Sequence, residues 1–145
     1  MSYERLMREH AQIEVRVKRL LELVSGAAPD VDGVIMALSD LSSELGAHLA
    51  HEDSFIYPRM IRGNNALMRD AANAFAAEFA SLRVDWSIYL CEWTADCIAG
   101  DWANFVQQTF AILDRLQRRV DAENNILYAT ALRESAITLR DQQAA

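Results

Sequence analysis

Leu6, His10, Ile13, Val17, Leu20 and Val24 follow one another at alternating steps of four and three, the spacing that keeps side chains on one stripe of an α-helix facing its neighbours. No other feature limits the fold as much, because the same rhythm returns in three later stretches. Leu38, Leu41, Leu45, His48, Glu52 and Phe55 carry it in the second, Phe75, Phe79, Leu82, Trp86, Tyr89 and Trp93 in the third. Ile112, Leu116, Arg119, Glu123 and Ile126 carry it in the fourth. The Val and Ile alternation that marks strands is almost absent.

Punctuation residues divide the stretches. The first helix is predicted from about Ser2 to Val24, stopped by Ser25-Gly26, where glycine suits a C-terminal cap. The second runs from about Asp30 to Ile61, with Pro58 as a possible kink and Gly63 as its stop. The third covers about Ala66 to Ala99, ended by Gly100, and the fourth starts at the capping residue Asp101 and reaches about Leu139, ahead of a frayed polar tail. Short connections make successive helices antiparallel neighbours, so the expected fold is all-α, an up-down-up-down four-helix bundle formed by residues 1–145 as a single domain.

Five of the inward positions are polar: His10, His48, Glu52, Arg119 and Glu123. Each costs several kcal/mol if buried without a partner. His48 and Glu52 are four residues apart, about 40° of rotation and roughly 6 Å of rise, so both can grip one ion. Counting residues from the helix ends puts His10 and His48 at one height, and likewise Phe79 and Arg119. The five groups must therefore satisfy one another or a metal. Imidazole with carboxylate suits Fe(II), Mn(II) or Zn(II) without choosing sharply among them. His51 flanks the seam as a partly exposed neighbour, and Glu9, Glu14, Glu44, Asp53 and Glu78 lie off the seams as solvated charges. Trp86, Tyr89 and Trp93 form an aromatic stripe expected to pack in the core.

A weak internal repeat relates the halves. HLAHEDSFIYP from His48 matches RVDAENNILYA from Arg119, pairing Glu52 with Glu123 and Tyr57 with Tyr128. REHAQIEV ending at Val15 matches AEFASLRV ending at Val84, pairing His10 with Phe79. Glu9-His10, the HxxxE of His48 to Glu52 followed by Ile56-Tyr57-Pro58, and ENNILY from Glu123 to Tyr128 together resemble the hemerythrin-like (HHE cation-binding) family over nearly the whole chain. That resemblance implies a four-helix bundle in which two irons are held by histidines and bridging carboxylates. Carried over, His10 and His48 are nitrogen ligands of one metal, while Glu52 and Glu123 are the carboxylates. Family histidines of the second half fall at Phe79 and Arg119, so half of the ligand set is replaced and Arg119 stands where a second metal would be.

The expectation is therefore a domain binding at most one metal ion (Fe, Mn or Zn), or none, in a sensing, storage or accessory role. Reversible dioxygen carriage, which in the family relies on two irons, is not expected. The alternative is a metal-free bundle with a buried Arg-Glu-His network, acting as a protein-interaction module with an unidentified partner. A mononuclear iron enzyme is a weaker third reading. A net charge of −7 disfavours nucleic acid and anionic membranes as partners, and no apolar run reaches the roughly 18 residues of a membrane span. A cytoplasmic location is the default expectation. No phosphate-cradling glycine loop, CxxC pair or nucleophile triad is present, and homo-oligomerisation is not legible from inward-facing seams.

Overall fold

A computed structural model, describing residues 2–134 and 137–140, is an all-α bundle with no strand among the described residues. Helix α1 spans Tyr3–Val24, capped by the Ser2 hydroxyl accepting from the Arg5 amide. Helix α2 spans Val31–His51, capped by Asp30, whose carboxylate accepts from the Gly33 amide. It continues without a break through a π-helical turn, Glu52–Ile56, into α3, Tyr57–Arg62. The fourth predicted segment repeats this plan. Helix α7, Trp102–Ala122, is capped by Asp101 and runs through a second π turn, Glu123–Leu127, into α8, Tyr128–Arg133.

The two π turns occupy matching places in the internal repeat. In each the amide after the turn reaches back five residues, Tyr57 to the Glu52 carbonyl and Tyr128 to the Glu123 carbonyl. Pro58 follows the first turn, but the residue in its place after the second is Ala129, so proline is not what opens the helix. The expected kink at Pro58 is instead a wide turn starting at the glutamate. One extra residue in a turn also moves the inward stripe along by one. Ile126, expected on the seam by α-helical spacing, is 56% exposed, while Leu127 and Tyr128 are fully buried. Ile56 and Tyr57 are buried after the first turn in the same way, and the side chain of Phe55, expected inward, lies outside the described residues.

The third predicted helix is three pieces: α4, Ala66–Glu78; α5, Leu82–Glu92; and α6, Ala95–Gly100. The backbone leaves helical geometry at Phe79 and again at Trp93, and Thr94 caps α6 through the Cys97 amide. The inward stripe survives these breaks, since Phe75, Leu82, Trp86, Tyr89, Trp93 and Ile98 all reach the core, but Phe79, expected inward, is only partly buried. The fourth helix also ends sooner than expected, at Arg133 rather than near Leu139. Beyond it Ile137 is buried, and the Thr138 and Leu139 carbonyls accept from the amides of Tyr3 and Glu4. The tail beyond Arg140, expected to fray, lies outside the described residues. Cys91 and Cys97 are exposed free thiols.

Helix α1 packs along α2 and α7, α3 against α4, and α5 against α7. Two apolar clusters result. One is built from residues such as Ile13, Leu45, Leu82, Trp86, Phe105 and Leu116, the other from Leu6, Ile56, Tyr57, Phe75, Leu127 and Tyr128 among others. His10, His48, Glu52, Arg119 and Glu123 fall between the two in every helix that carries them, forming a polar layer across the bundle. No helix among the described residues is long and apolar enough to cross a membrane.

Candidate metal centre

His10 projects from the middle of α1, and His48 from the last turn of α2. Glu52 and Glu123 each open a π turn, and Arg119 lies in the last turn of α7. All five are buried, Glu52 completely. His10, His48, Glu52 and Glu123 each offer one ligand atom within 4.8 Å of the others, a group able to hold a metal ion. The Nε2 atoms of the two imidazoles are 2.9 Å apart. Glu52 Oε1 lies against His48 Nε2 and 3.6 Å from His10 Nε2, and Glu123 Oε1 is 3.4 Å from His10 Nε2.

The opposite nitrogens decide what those inner atoms are. His10 Nδ1 is 2.6 Å from Asn124 Oδ1, and His48 Nδ1 is 2.8 Å from Glu9 Oε2. Both partners accept, so each imidazole carries hydrogen on Nδ1 and, when neutral, turns a bare lone pair inward at Nε2. An outer acceptor of this kind is what normally fixes the tautomer of a metal-binding histidine. Two nitrogen lone pairs and two carboxylate oxygens then converge on one point, an arrangement that repels itself without positive charge at its centre.

In the metal-free protein, protons supply part of that charge. Burial opposes ionisation of His10, but hydrogen bonds and charge from Glu123 and Glu52 outweigh it and push its pKa up to about 10. His48 is raised as well: burial works against its charged form, and Glu52, aided by Glu9, prevails. The carboxylates separate. Burial alone would raise Glu52, yet hydrogen bonds from Glu123, His10 and His48 hold it well below the usual range. Glu123 is pushed up to about 7 by burial and by the neighbouring charge of Glu52. A proton on one Nε2 relieves the contact between the imidazoles. A divalent cation relieves all four acceptors together, so the donor set fits a metal.

The repeat is visible as crossed bonds. Tyr57 donates to Glu123 Oε2 at 2.5 Å, and Tyr128 donates to Glu52 Oε1 at 2.5 Å. Each half thus steadies the carboxylate of the other. Around Arg119 the symmetry ends. Its Nη2 donates to Glu52 Oε2 at 3.1 Å and lies 3.6 Å from Asp53 Oδ1, with Nε 3.7 Å from Glu123 Oε2. The guanidinium carbon sits 5.6 Å from the centre of the Tyr57 ring and 6.0 Å from that of Phe79. Glu52 therefore faces imidazoles through one oxygen and a fixed cation through the other.

A model of the hemerythrin HHE cation-binding domain matches residues 1–131, nearly all of the described chain. The protein belongs to the hemerythrin HHE cation-binding domain family. Searches of curated proteins and of solved structures gave no match. Within this hemerythrin HHE domain, the four ligand candidates expected from sequence come together in one buried cluster, and Arg119 joins them from the side opposite the histidines. His51 stays at the margin, partly exposed, lining a polar recess with His48, Glu9 and Glu44. Glu9 is a correction. It is not a solvated helix-face charge but a half-buried acceptor for His48, reaching across from α1. Asp53, though exposed, also contributes, through Arg119 and through Arg83 at 3.6 Å. Asn124, the acceptor for His10, has no mark in the sequence beyond its place beside Glu123 in the ENNILY stretch.

Proposed function

We propose that this hemerythrin HHE domain binds one divalent metal ion through His10, His48, Glu52 and Glu123, and serves as a sensor, store or accessory protein. The observation that carries this reading is the convergence of two inward Nε2 atoms, each backed by an outer Nδ1 acceptor, on two buried carboxylates. Fe(II), Mn(II) and Zn(II) all suit such donors; iron or manganese would add one-electron chemistry to the Lewis acidity any of the three supplies. Phe79 and Arg119 offer no ligand atom for a second ion, which is why this reading leaves out dioxygen carriage of the kind that draws on two irons. Arg119 instead provides a permanent charge where a second ion would balance Glu52 and Glu123.

A second reading is favoured by the Arg119–Glu52 hydrogen bond: a metal-free ionic core supporting a protein-interaction module. Metal analysis by mass spectrometry separates the two. Protein purified without a metal-affinity tag and offered Fe(II), Mn(II) and Zn(II) in turn is expected to retain about one ion per chain, and His48→Ala close to none. Near-zero metal in the unaltered protein under every loading would overturn the metal reading and leave the ionic core.

A further inference from the structure

An ion held by His10, His48, Glu52 and Glu123 has to cross the wall of the bundle to reach them. His10, Glu52 and Glu123 are at most 1% exposed, and His48, at 5%, lies nearest the surface. His48 also borders the polar recess between α1 and α2, about 240 Å³ in volume. Two partly exposed carboxylates stand in that recess, Glu9 from α1 and Glu44 from α2. Their arginine partners are loosely held. Half-exposed Arg5 lies 3.2 Å from Glu9, and Arg16, also partly exposed, 3.3 Å from Glu44. Exposed ion pairs contribute little, so a divalent ion can displace either arginine from its carboxylate. His48 turns Nδ1 to Glu9 and Nε2 to the centre, which makes its ring the partition between recess and metal site.

We propose that this recess is the port through which the divalent ion enters and leaves, with Glu44 and Glu9 taking the ion from water and the His48 ring acting as the gate. The inference rests on the metal reading above. Carboxylate and imidazole are also the donors of the centre itself, so an ion passing from Glu44 and Glu9 to His48 exchanges one such donor for another instead of losing all its water at once. For the ring to hand the ion on, the Glu9–His48 hydrogen bond opens, His48 turns about its side-chain bonds, and the bond re-forms once Nε2 has closed on the metal. The two carboxylates of the recess are matched by two arginines, so the choice of route rests on which groups can move rather than on net charge. A second cavity, about 300 Å³, approaches the polar layer beside Phe79. Asp53 stands in it, but is engaged by both Arg83 and Arg119. Arg119, buried and bonded to Glu52, forms the wall between that cavity and the carboxylates. A cation arriving there meets a fixed like charge, whereas Arg5 and Arg16 can swing aside into water.

Co(II) is the probe, because its visible absorption reports binding to imidazole and carboxylate directly. Stopped-flow mixing gives the uptake rate, displacement by excess EDTA the release rate, and an equilibrium titration the affinity. Glu44 touches none of the four ligands, so Glu44→Gln is expected to slow uptake and release by the same factor, about three- to tenfold, with affinity unchanged. Ala47→Trp, at an exposed position lining the recess, should slow both more strongly; Glu44→Gln carries the test if the tryptophan variant does not fold. Ala80→Trp, exposed on the rim of the cavity beside Phe79, should leave both rates as they are. Unchanged rates in folded Ala47→Trp and Glu44→Gln would overturn the proposal, as would slowing by Ala80→Trp instead. Weaker affinity in Glu44→Gln with unaltered uptake would make Glu44 a support for the bound state, and would overturn it too. None of these outcomes touches the metal reading itself, which falls, and the port with it, only if the unaltered protein takes up no ion at equilibrium.

Discussion

Glu9 Oε2 sits 2.8 Å from His48 Nδ1, and that contact sets which face of the imidazole can meet a metal. Its sequence position gave no hint, because it lies one residue off the seam of α1 and acts by reaching across to another helix. His10, His48, Glu52 and Glu123 were legible for the opposite reason: they occupy seam positions, where an unpartnered polar group is too costly to persist. Glu9→Gln keeps the size but weakens the acceptor, and the loss of such outer partners typically lowers metal affinity about 10–100-fold. Because Glu9 is partly solvated, the lower end is expected, about tenfold for Zn(II) in competition with a chromophoric chelator, with unchanged helicity. Equal affinity would show that His48 is oriented by packing alone. Arg119 is the other decisive residue. Arg119→Leu leaves Glu52 and Glu123 without their fixed counter-charge, and breaking a buried pair in this way costs about 3–5 kcal/mol. Chemical denaturation of metal-stripped protein should register that loss, and a neutral effect would mean the carboxylates balance themselves with protons.

At the scale of elements, the π turns explain where helix periodicity misleads. Spacing by threes and fours places every inward residue of α1 correctly, and those of α2 and α7 as far as Glu52 and Glu123, because those segments have ordinary α geometry. It fails at Ile126 because a π turn spends one more residue per turn, and no residue type announces it: the first turn is followed by proline and the second is not. In the third segment the apolar rhythm continues unbroken across Phe79 and Trp93 although the backbone does not, so spacing alone predicts one helix where there are three. A π turn behaves as a one-residue insertion in an α-helix, which makes a direct check available. Deleting exposed Asn125 should restore α geometry while keeping Leu127 and Tyr128 inward, at the third and fourth positions after Glu123. Deleting Gln117 from the regular part of α7 should rotate everything after it by about 100°. Circular dichroism melts are expected to show the first variant folded and the second severely destabilised; equal damage from both would argue against the inserted-residue view.

For the whole molecule, the internal repeat supplies a plan that one half has abandoned. The crossed bonds of Tyr57 to Glu123 and Tyr128 to Glu52 survive on both sides, and Asp53 matches Asn124 in the repeat, the acceptor for His10. An imidazole introduced at position 79 would therefore find Asp53 where His10 finds Asn124. Phe79→His combined with Arg119→His is expected to raise the metal content of Fe(II)-loaded protein from about one toward two ions per chain, measured against protein concentration by elemental analysis. A folded double variant with unchanged stoichiometry would count against Arg119 as the stand-in for a second ion.

The polar layer also cuts the apolar interior in two, with the Ile13–Trp86–Phe105 cluster on one side and the Leu6–Phe75–Tyr128 cluster on the other. Burial of carbon against carbon knits a domain into one melting unit; across this waist the knitting is done by buried hydrogen bonds and ion pairs. The two ends of the bundle are thus joined chiefly through this layer, and an ion bound at its centre would act as a rivet between them.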